Sequence, residues 1–254
     1  MPAYASGLLW KDHLSELTDE AKRHVADGFR AVKMRIGRNA DYDRAAVAAV
    51  REAVGPEIRL LVDGNARFSL DEARDMLPAL RDAGVFWFEE PFAPEDPDSF
   101  LALQQDLGEI RLAAGENEFG LQGFRELIDP DLVQIVQPDC CRCGGLTEAI
   151  RIARRAAAKG LLIAPHTWSD AVALTANMHL VAATPGALTV EMDRTGNALM
   201  DDLLAKPPEV TDGTIAVPQG PGLGIELNEE AVARYAIPQG IPALPGNYSD
   251  MVFV

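Results

Sequence analysis

The sequence predicts one α/β domain of the TIM type, a (β/α)7β barrel, and three observations support this prediction. Short apolar runs alternate with segments of helical pattern along most of the chain. Asp63, Glu89 and Glu116 each follow such a run, at near-equal intervals of 26 and 27 residues. A strand, a helix and two loops take about that many residues in an eight-unit barrel of ~250 residues, and this chain has 254.

Eight apolar runs are expected to form the strands, because buried parallel strands are nearly continuous apolar segments. In chain order, the predicted strands cover residues 4–6, 31–36, 58–63, 85–89, 110–114, 132–136, 161–164 and 188–191. Seven helices are expected between them. In chain order, the predicted helices cover residues 13–27, 41–54, 69–83, 98–107, 120–128, 146–159 and 168–183.

Local signals support the element boundaries and the division of the chain. Ser69, with Glu72 three residues later, has the spacing of a capping box at a helix start. The last quarter of the chain is rich in Pro and Gly. We therefore expect a barrel over residues 1–194 and an irregular C-terminal tail over 195–254 that packs on it. A short strand pair is expected near 214–217.

Composition and charge argue against a nucleic-acid partner, a membrane span and a signal peptide. The net charge of −16 and the pI of about 4.6 disfavour binding to the phosphate backbone of a nucleic acid. An anionic small substrate is still compatible, because a divalent cation and local bases reverse the sign of the charge inside a cleft. No apolar run approaches the ~20 residues of a membrane span. The N-terminus lacks the basic and long apolar regions of a signal peptide.

The three cysteines all lie in the segment Cys140-Cys141-Arg142-Cys143. Neighbouring cysteines are poorly placed to pair with one another, and the rest of the chain has none. A disulfide framework is therefore not expected, which agrees with a reducing, cytoplasmic location. The thiols are also too crowded for a tetrahedral zinc site.

Three carboxylates predict a cation site. Asp63, Glu89 and Glu116 fall at the carboxyl ends of three successive predicted strands, where barrel enzymes have their active sites. Three oxygen ligands favour a hard cation, most simply Mg²⁺. Taken singly, Asp63 also fits an ordinary turn before Gly64, and both glutamates fit solvated strand ends.

Basic and proton-transferring residues occupy other strand ends. Lys33 and Arg35 alternate with a methionine, so both side chains are expected to point into the barrel, where two cations need a compensating anion. His166 follows the seventh predicted strand, and a histidine can take or give a proton near neutral pH. Asp139 follows the sixth. Taken singly, His166 also fits a loop histidine and Asp139 a helix cap.

With these residues in this order, the chain resembles the enolase superfamily over nearly its whole length, specifically the mandelate racemase/muconate lactonizing enzyme subgroup. The matching positions are Lys33-Met34-Arg35 for the second-strand Lys-x-Lys/Arg element, Asp63, Glu89 and Glu116 for the metal ligands, Asp139 and His166 for the dyad, and Glu191 for the eighth-strand glutamate. Enolase-type sites are known to pair a Lys or His base with one or two Mg²⁺ ions. The resemblance therefore implies a Mg²⁺-dependent enzyme that removes the proton α to the carboxylate of a small acid.

The resemblance also implies a role for each site residue. His166 takes or gives the proton, and Asp139 orients its ring. Glu191 donates a proton to the opposite side of the substrate's carboxyl group, provided that its pKa is raised. Asn65 and Trp168 are expected to contact the substrate, although a tryptophan near a histidine more often serves packing.

Arg35 departs from the racemase pattern, in which the second basic residue is a lysine that acts as a base. An arginine stays protonated, with a pKa above ~12, and is a poor base. This favours a lyase reaction with one base, in which His166 removes the α-proton of an acid sugar and the β-hydroxyl leaves as water. The alternative is an epimerase, racemase or lactone cycloisomerase, with Lys33 as the base and Arg35 on the substrate carboxylate.

A second departure concerns the capping domain that similar proteins carry before the barrel. The first predicted strand begins at about residue 3, so we expect this domain to be absent. The apolar surface it would cover is then expected to meet another copy, in a homo-oligomer, or a separate cap-domain chain. A capless fragment or subunit without turnover is the third hypothesis.

Overall fold

The computed structural model describes residues 1–237 of the chain. Its central sheet has the strands β1 (Ala3–Ser6), β2 (Ala31–Arg35), β3 (Arg59–Asp63), β4 (Val85–Glu89), β5 (Arg111–Ala114), β6 (Ile135–Val136), β7 (Leu162–Ile163) and β8 (Val190–Asp193). All pairings between them are parallel, in the order β7-β6-β5-β4-β3-β2-β1-β8. The Leu188 N–H donates to the Ile163 carbonyl at 2.7 Å, beside a parallel bridge from Ile163 to Ala187. β7 thereby meets the segment before β8, and the sheet closes into the predicted TIM-type barrel.

Seven helices connect successive strands, as predicted. They are α1 (Leu14–Ala26), α2 (Ala40–Val54), α3 (Leu70–Asp82), α4 (Pro97–Gln104), α5 (Gly120–Ile128), α6 (Leu146–Ala158) and α7 (Ala171–Ala183). The capping box at Ser69 and Glu72 is present at the start of α3.

The starts of α4 and α7 differ from the prediction, and an aspartate cap sets each of them. Asp96 caps α4, which begins at Pro97 rather than at residue 98. Asp170 caps α7, which begins at Ala171 rather than at residue 168, because the Asp170 carboxylate accepts two backbone N–H groups. Trp168 consequently lies in the loop before the helix.

The sixth strand is also shorter than predicted. The side-chain oxygen of Gln134 accepts the Leu112 N–H at 2.9 Å, so a side chain takes the place of a backbone carbonyl just before β6. The regular ladder therefore begins at Ile135 and continues for only two residues.

The barrel interior supports the groups at the strand ends. A buried apolar layer inside the barrel consists of Tyr4, Leu61, Trp87, Ala113, Ile135 and Ala164. Asp63 and Glu89 lie two residues beyond Leu61 and Trp87 in the same strands, so their side chains share the inward face. A larger buried cluster fills the space between the strands and the helices. The apolar layer thus forms a rigid base below the polar strand ends.

The tail is more regular than expected. It contains α8 (Ala198–Asp201), β9 (Val210–Thr211), β10 (Thr214–Ile215) and α9 (Glu229–Tyr235). The expected strand pair is the β9–β10 hairpin, and it lies against the start of the chain: the Ala3 N–H donates to the Gly213 carbonyl at 3.0 Å. Ile215 is buried there. The hairpin therefore packs at the amino-terminal end of the barrel, and the rest of the expected tail, residues 238–254, lies outside the described residues.

Glu20 in α1 anchors the loop that follows β1. One carboxylate oxygen accepts the Leu8 N–H at 2.9 Å, and the other lies 3.0 Å from the Lys11 ammonium. Burial alone would raise the pKa of Glu20, but His24, the Leu8 N–H and Lys11 together lower it to about 2. The ionised carboxylate is therefore part of the folded state.

Glu20→Gln is expected to remove an acid-dependent part of the stability. A carboxyl whose pKa is lower in the folded than in the unfolded state contributes stability above its unfolded pKa, and this contribution disappears as the pH falls through the folded value. The difference between wild type and the variant is thus expected to be full above pH ~4.5, on the order of 3 kcal/mol, and to vanish near pH 2. Urea unfolding from pH 6 to pH 2 measures it, and a difference that does not change with pH would contradict it.

Two surface properties bear on the expected partners. No helix within residues 1–237 is long and apolar enough to cross a membrane. Several large apolar side chains are exposed, among them Phe119 at 68% and Ile237 at 79%. What covers this surface stays a prediction.

Candidate metal and acid–base site

The three carboxylates predicted as metal ligands converge at one point. Asp63, Glu89 and Glu116 each offer an oxygen, and these oxygens lie within 4.8 Å of one another. Asp63 and Glu89 are buried and Glu116 is half-buried. They meet because β3, β4 and β5 are neighbours in the sheet, and each carboxylate ends its strand or follows it by two residues.

Lys33 lies beside this cluster inside the barrel. Its Nζ is 2.5 Å from Glu89 Oε1, 2.8 Å from Glu191 Oε1 and 3.9 Å from Asp63 Oδ2. Burial alone would lower the pKa of Lys33, but the carboxylates of Glu191 and Glu89 raise it well above its usual value. Lys33 is therefore an ammonium ion that forms ion pairs with Glu89, a predicted metal ligand, and with Glu191.

The carboxylates differ in how easily they ionise. Burial would raise the pKa of Glu191, yet Lys33 and His166 lower it to about 2. Burial raises the pKa of Glu89 to about 8, against the attraction of Lys33 and with further repulsion from Asp63 and Glu191. Glu89 therefore ionises less readily than Glu191, and a cation bound beside it would favour its ionised form.

The predicted dyad is formed. His166 Nδ1 is 2.9 Å from Asp139 Oδ2, and His166 Nε2 is 3.5 Å from Glu116 Oε2. Asp139 Oδ1 accepts the Cys141 N–H at 2.8 Å, which fixes the carboxylate. Burial alone would lower the pKa of His166, but Glu116 and Asp139 raise it to about 10.

The structure excludes the alternative interpretation of Asp139 as a helix cap. α6 begins after Gly145, and no side chain caps it. Asp139 instead orients a histidine whose second nitrogen faces the metal-site carboxylate of Glu116.

The remaining predicted residues are arranged around this centre. Arg35 lies with its guanidinium 3.2 Å from Asp63 Oδ2. Glu191 accepts the Thr167 N–H at 2.8 Å. The proton-donor role expected of Glu191 required a raised pKa, whereas its surroundings lower it. Asn65 contacts Asp63 through its backbone N–H at 2.8 Å, and Trp168 is half-buried two residues beyond His166.

Glu90 is a residue of the site that the sequence did not indicate. Its buried carboxylate accepts the Asn117 side-chain amide at 3.0 Å and the Gly115 N–H at 3.4 Å, so it contacts both neighbours of Glu116. Burial and then Glu116 raise its pKa well above the usual value. Strand alternation directs Glu90 away from the barrel interior, but a backbone φ of +34° returns it to the site. In the sequence, the two adjacent glutamates before Pro91 were the signal that could have indicated Glu90 as a site residue.

Asn177 is a second residue that the sequence analysis missed. Its side-chain amide donates to the His166 carbonyl and to Thr167 Oγ1, both at 2.9 Å, and its oxygen accepts the Cys140 N–H at 3.1 Å. It thereby links the loops that carry Asp139 and His166. An amide side chain in the mostly apolar helix α7 was the signal for it.

Comparison with known proteins identifies the family. The enolase C-terminal domain-like family model matches residues 16–231. The D-galactarolactone cycloisomerase of Agrobacterium fabrum is 36% identical over 247 residues, which cover 93% of this chain and 65% of that protein. The arabinonate dehydratase of Saccharolobus solfataricus is 31% identical over 236 residues, which cover 92% of this chain and 63% of that protein.

A solved structure agrees with this assignment. A racemase from Streptomyces coelicolor A3(2) with bound magnesium matches with a TM-score of 0.84 at 30% identity, covering 93% of this chain and 63% of that one. The chain therefore spans somewhat less than two thirds of the length of these relatives. Since the family model covers most of the chain and the barrel is the one the family predicts, the chain belongs to the enolase superfamily, in its mandelate racemase/muconate lactonizing enzyme subgroup.

Proposed function

We propose that the chain is a Mg²⁺-dependent lyase that removes the proton α to the carboxylate of an acid sugar and eliminates water. The observation that carries this proposal is the position of the three carboxylates between two basic groups, Lys33 and His166. The similarity to an arabinonate dehydratase supports the reaction class.

The donor set fits Mg²⁺. Magnesium prefers oxygen ligands, and Asp63, Glu89 and Glu116 offer three carboxylate oxygens that lie within 4.8 Å of one another. The pKa of Glu89 is raised first by burial and then by repulsion from Asp63 and Glu191, and a bound cation would offset both effects. When bound, Mg²⁺ would stabilise the negative charge that develops on the substrate's carboxyl group.

The side chains of this chain would then move the protons. His166 would accept the α-proton at Nε2, because Asp139 holds Nδ1 and a cation bound to Glu116 would offset the charge that raises the pKa of His166 in the metal-free protein. The same nitrogen would return a proton to the β-hydroxyl as the carbon–oxygen bond breaks, so that water leaves. Lys33 and Arg35 would attract the anionic substrate, and Lys33 would remain held by Glu191.

A second candidate is epimerisation or lactone cycloisomerisation at the same site, with Lys33 as the base, which requires that a bound cation lower the pKa of Lys33 from its raised metal-free value. The similarity to a D-galactarolactone cycloisomerase favours it. Incubation of aldonic acids, aldaric acids and their lactones with Mg²⁺ in D₂O separates the two candidates. Lyase activity gives 2-keto-3-deoxy acids, whereas deuterium at the α-carbon without loss of water indicates the second reaction. If no acid gives either product, both candidates are contradicted and the non-catalytic hypothesis remains.

Mg²⁺ is expected to stabilise the fold through the carboxylate cluster. A ligand at 100 times its Kd adds about 2.7 kcal/mol, which corresponds to a rise in Tm of roughly 5–10 °C for a domain of this size. Asp63→Asn should abolish the rise, whereas Asp98→Asn, at an exposed position in α4, should keep it. Thermal unfolding with EDTA and with Mg²⁺ measures this, and an equal rise in both variants would place the cation elsewhere.

We also propose that another chain covers the exposed apolar side chains, either a second copy or a cap-domain chain. Phe119, three residues beyond Glu116, is 68% exposed and supports this proposal. Light scattering on the purified chain measures the mass, and a mass of 27.4 kDa at all concentrations would leave only the cap-domain chain.

A further inference from the structure

We propose that Trp87 is a positioning residue for the metal centre: its indole N–H fixes the carboxylate of Glu89 in the orientation that binds the cation. The inference rests on the Mg²⁺ site proposed above and extends it to a residue deeper in the barrel. Trp87 Nε1 donates to Glu89 Oε2 at 3.1 Å, and both side chains are fully buried.

The two oxygens of Glu89 are held by different donors. Oε2 accepts the indole N–H, and Oε1 faces the Lys33 ammonium at 2.5 Å. A carboxylate with one fixed donor on each oxygen can no longer rotate about its last bond. Each carboxylate oxygen accepts about two bonds, so lone pairs remain for a cation. The donors thus decide which lone pairs point toward Asp63 and Glu116.

The indole is itself held in place. Its ring packs edge-on against Tyr4, with centroids 5.3 Å apart at 84°, and contacts Phe86 with centroids 6.1 Å apart. A buried indole N–H is costly to leave without an acceptor. The N–H is therefore locked onto Glu89, and Glu89 follows any displacement of the ring.

Packing alone does not account for this arrangement. Phenylalanine would also fill an apolar layer of the barrel, but it has no donor for Glu89. Trp87→Phe consequently separates the two roles, because it keeps an aromatic ring and removes the N–H. Loss of an outer hydrogen-bond partner of a metal ligand typically weakens metal binding 10- to 100-fold.

A matched control is available in the same chain. The indole N–H of Trp10 is buried but has no hydrogen-bond partner among residues 1–237, and its ring lies over Arg67. Calorimetric titration of the substrate-free proteins with Mg²⁺ is expected to give a Kd 10- to 100-fold higher for Trp87→Phe and within twofold of wild type for Trp10→Phe. Circular dichroism in EDTA checks that both variants are folded. An unchanged Kd in folded Trp87→Phe would overturn the inference.

A second measurement needs no folded variant of Trp87. The chain has three tryptophans, so ¹⁵N-indole spectra of the wild type contain three side-chain N–H signals. Phenylalanine variants of Trp10 and Trp168 assign two of them and leave the third to Trp87. The Trp87 signal is expected to shift on addition of Mg²⁺, with the Kd from calorimetry, while the Trp10 signal stays in place. Mg²⁺ binding without a shift of the Trp87 signal would overturn this inference alone, whereas no Mg²⁺ binding would overturn the proposed site as well.

Discussion

Lys33→Met is expected to destabilise the metal-free protein by about 3–5 kcal/mol, because the variant leaves buried carboxylates without their cation. Lys33 lies 2.5 Å from Glu89 and 2.8 Å from Glu191, and all three side chains are almost fully buried. Methionine fills a similar volume, so the loss reports charge rather than a cavity. Guanidinium unfolding in EDTA measures it.

Two comparisons make this expectation specific. Lys22→Met changes an exposed lysine of α1 and should alter the free energy of unfolding by less than about 0.5 kcal/mol. Saturating Mg²⁺ should recover part of the loss in Lys33→Met, since the cation offsets the same carboxylates. Equal losses in both variants would show that Lys33 does not stabilise the site.

His166→Asn is expected to slow removal of the α-proton by 10²- to 10⁴-fold, the usual contribution of a positioned acid–base group. Asparagine can hydrogen-bond Asp139 but has no basic nitrogen facing Glu116. Asp139→Asn is expected to reduce the rate as well, because an amide no longer sets the ring's tautomer. The rate of α-proton removal, followed as 2-keto-3-deoxy acid formation or, where no water is lost, as deuterium exchange at the α-carbon, measures both variants.

The control for His166 is a histidine outside the site. His179 in α7 contacts the carbonyl of Leu223 in the tail, and His179→Asn should leave the rate of α-proton removal unchanged. Thermal unfolding confirms that each variant is folded. Removal of the α-proton by folded His166→Asn at the wild-type rate would remove His166 from the mechanism and favour Lys33 as the base.

The order of strands and helices could be predicted because the period of the chain is regular and its strands are continuous apolar runs. The short length of β6 could not be predicted, because it depends on the side-chain oxygen of Gln134, which accepts the backbone N–H of Leu112 in the neighbouring strand. Helix starts shifted where a stronger cap, Asp96 or Asp170, lay close to the predicted one.

The site was predictable where a residue follows its strand in register. Asp63 and Glu89 are the last residues of their strands and have inward-facing side chains, and their convergence follows from the order of the strands in the sheet. Glu90 was not predictable, because its position depends on a positive φ that strand alternation does not suggest. The contact between Trp87 and Glu89 needed the ring's orientation, which spacing alone does not give.

The pairing of the first strand has a consequence for biosynthesis. Residues of β1 pair with β8, and the adjoining start of the chain bonds to the β9–β10 hairpin, so the closing contacts join residues about 190–210 positions apart. Contacts of such separation form late, after the entropy of a long loop has been lost. On the ribosome, the edge of β1 that pairs with β8 therefore stays unpaired until the eighth strand has emerged. During most of translation the growing chain has an open sheet edge and depends on protection from aggregation.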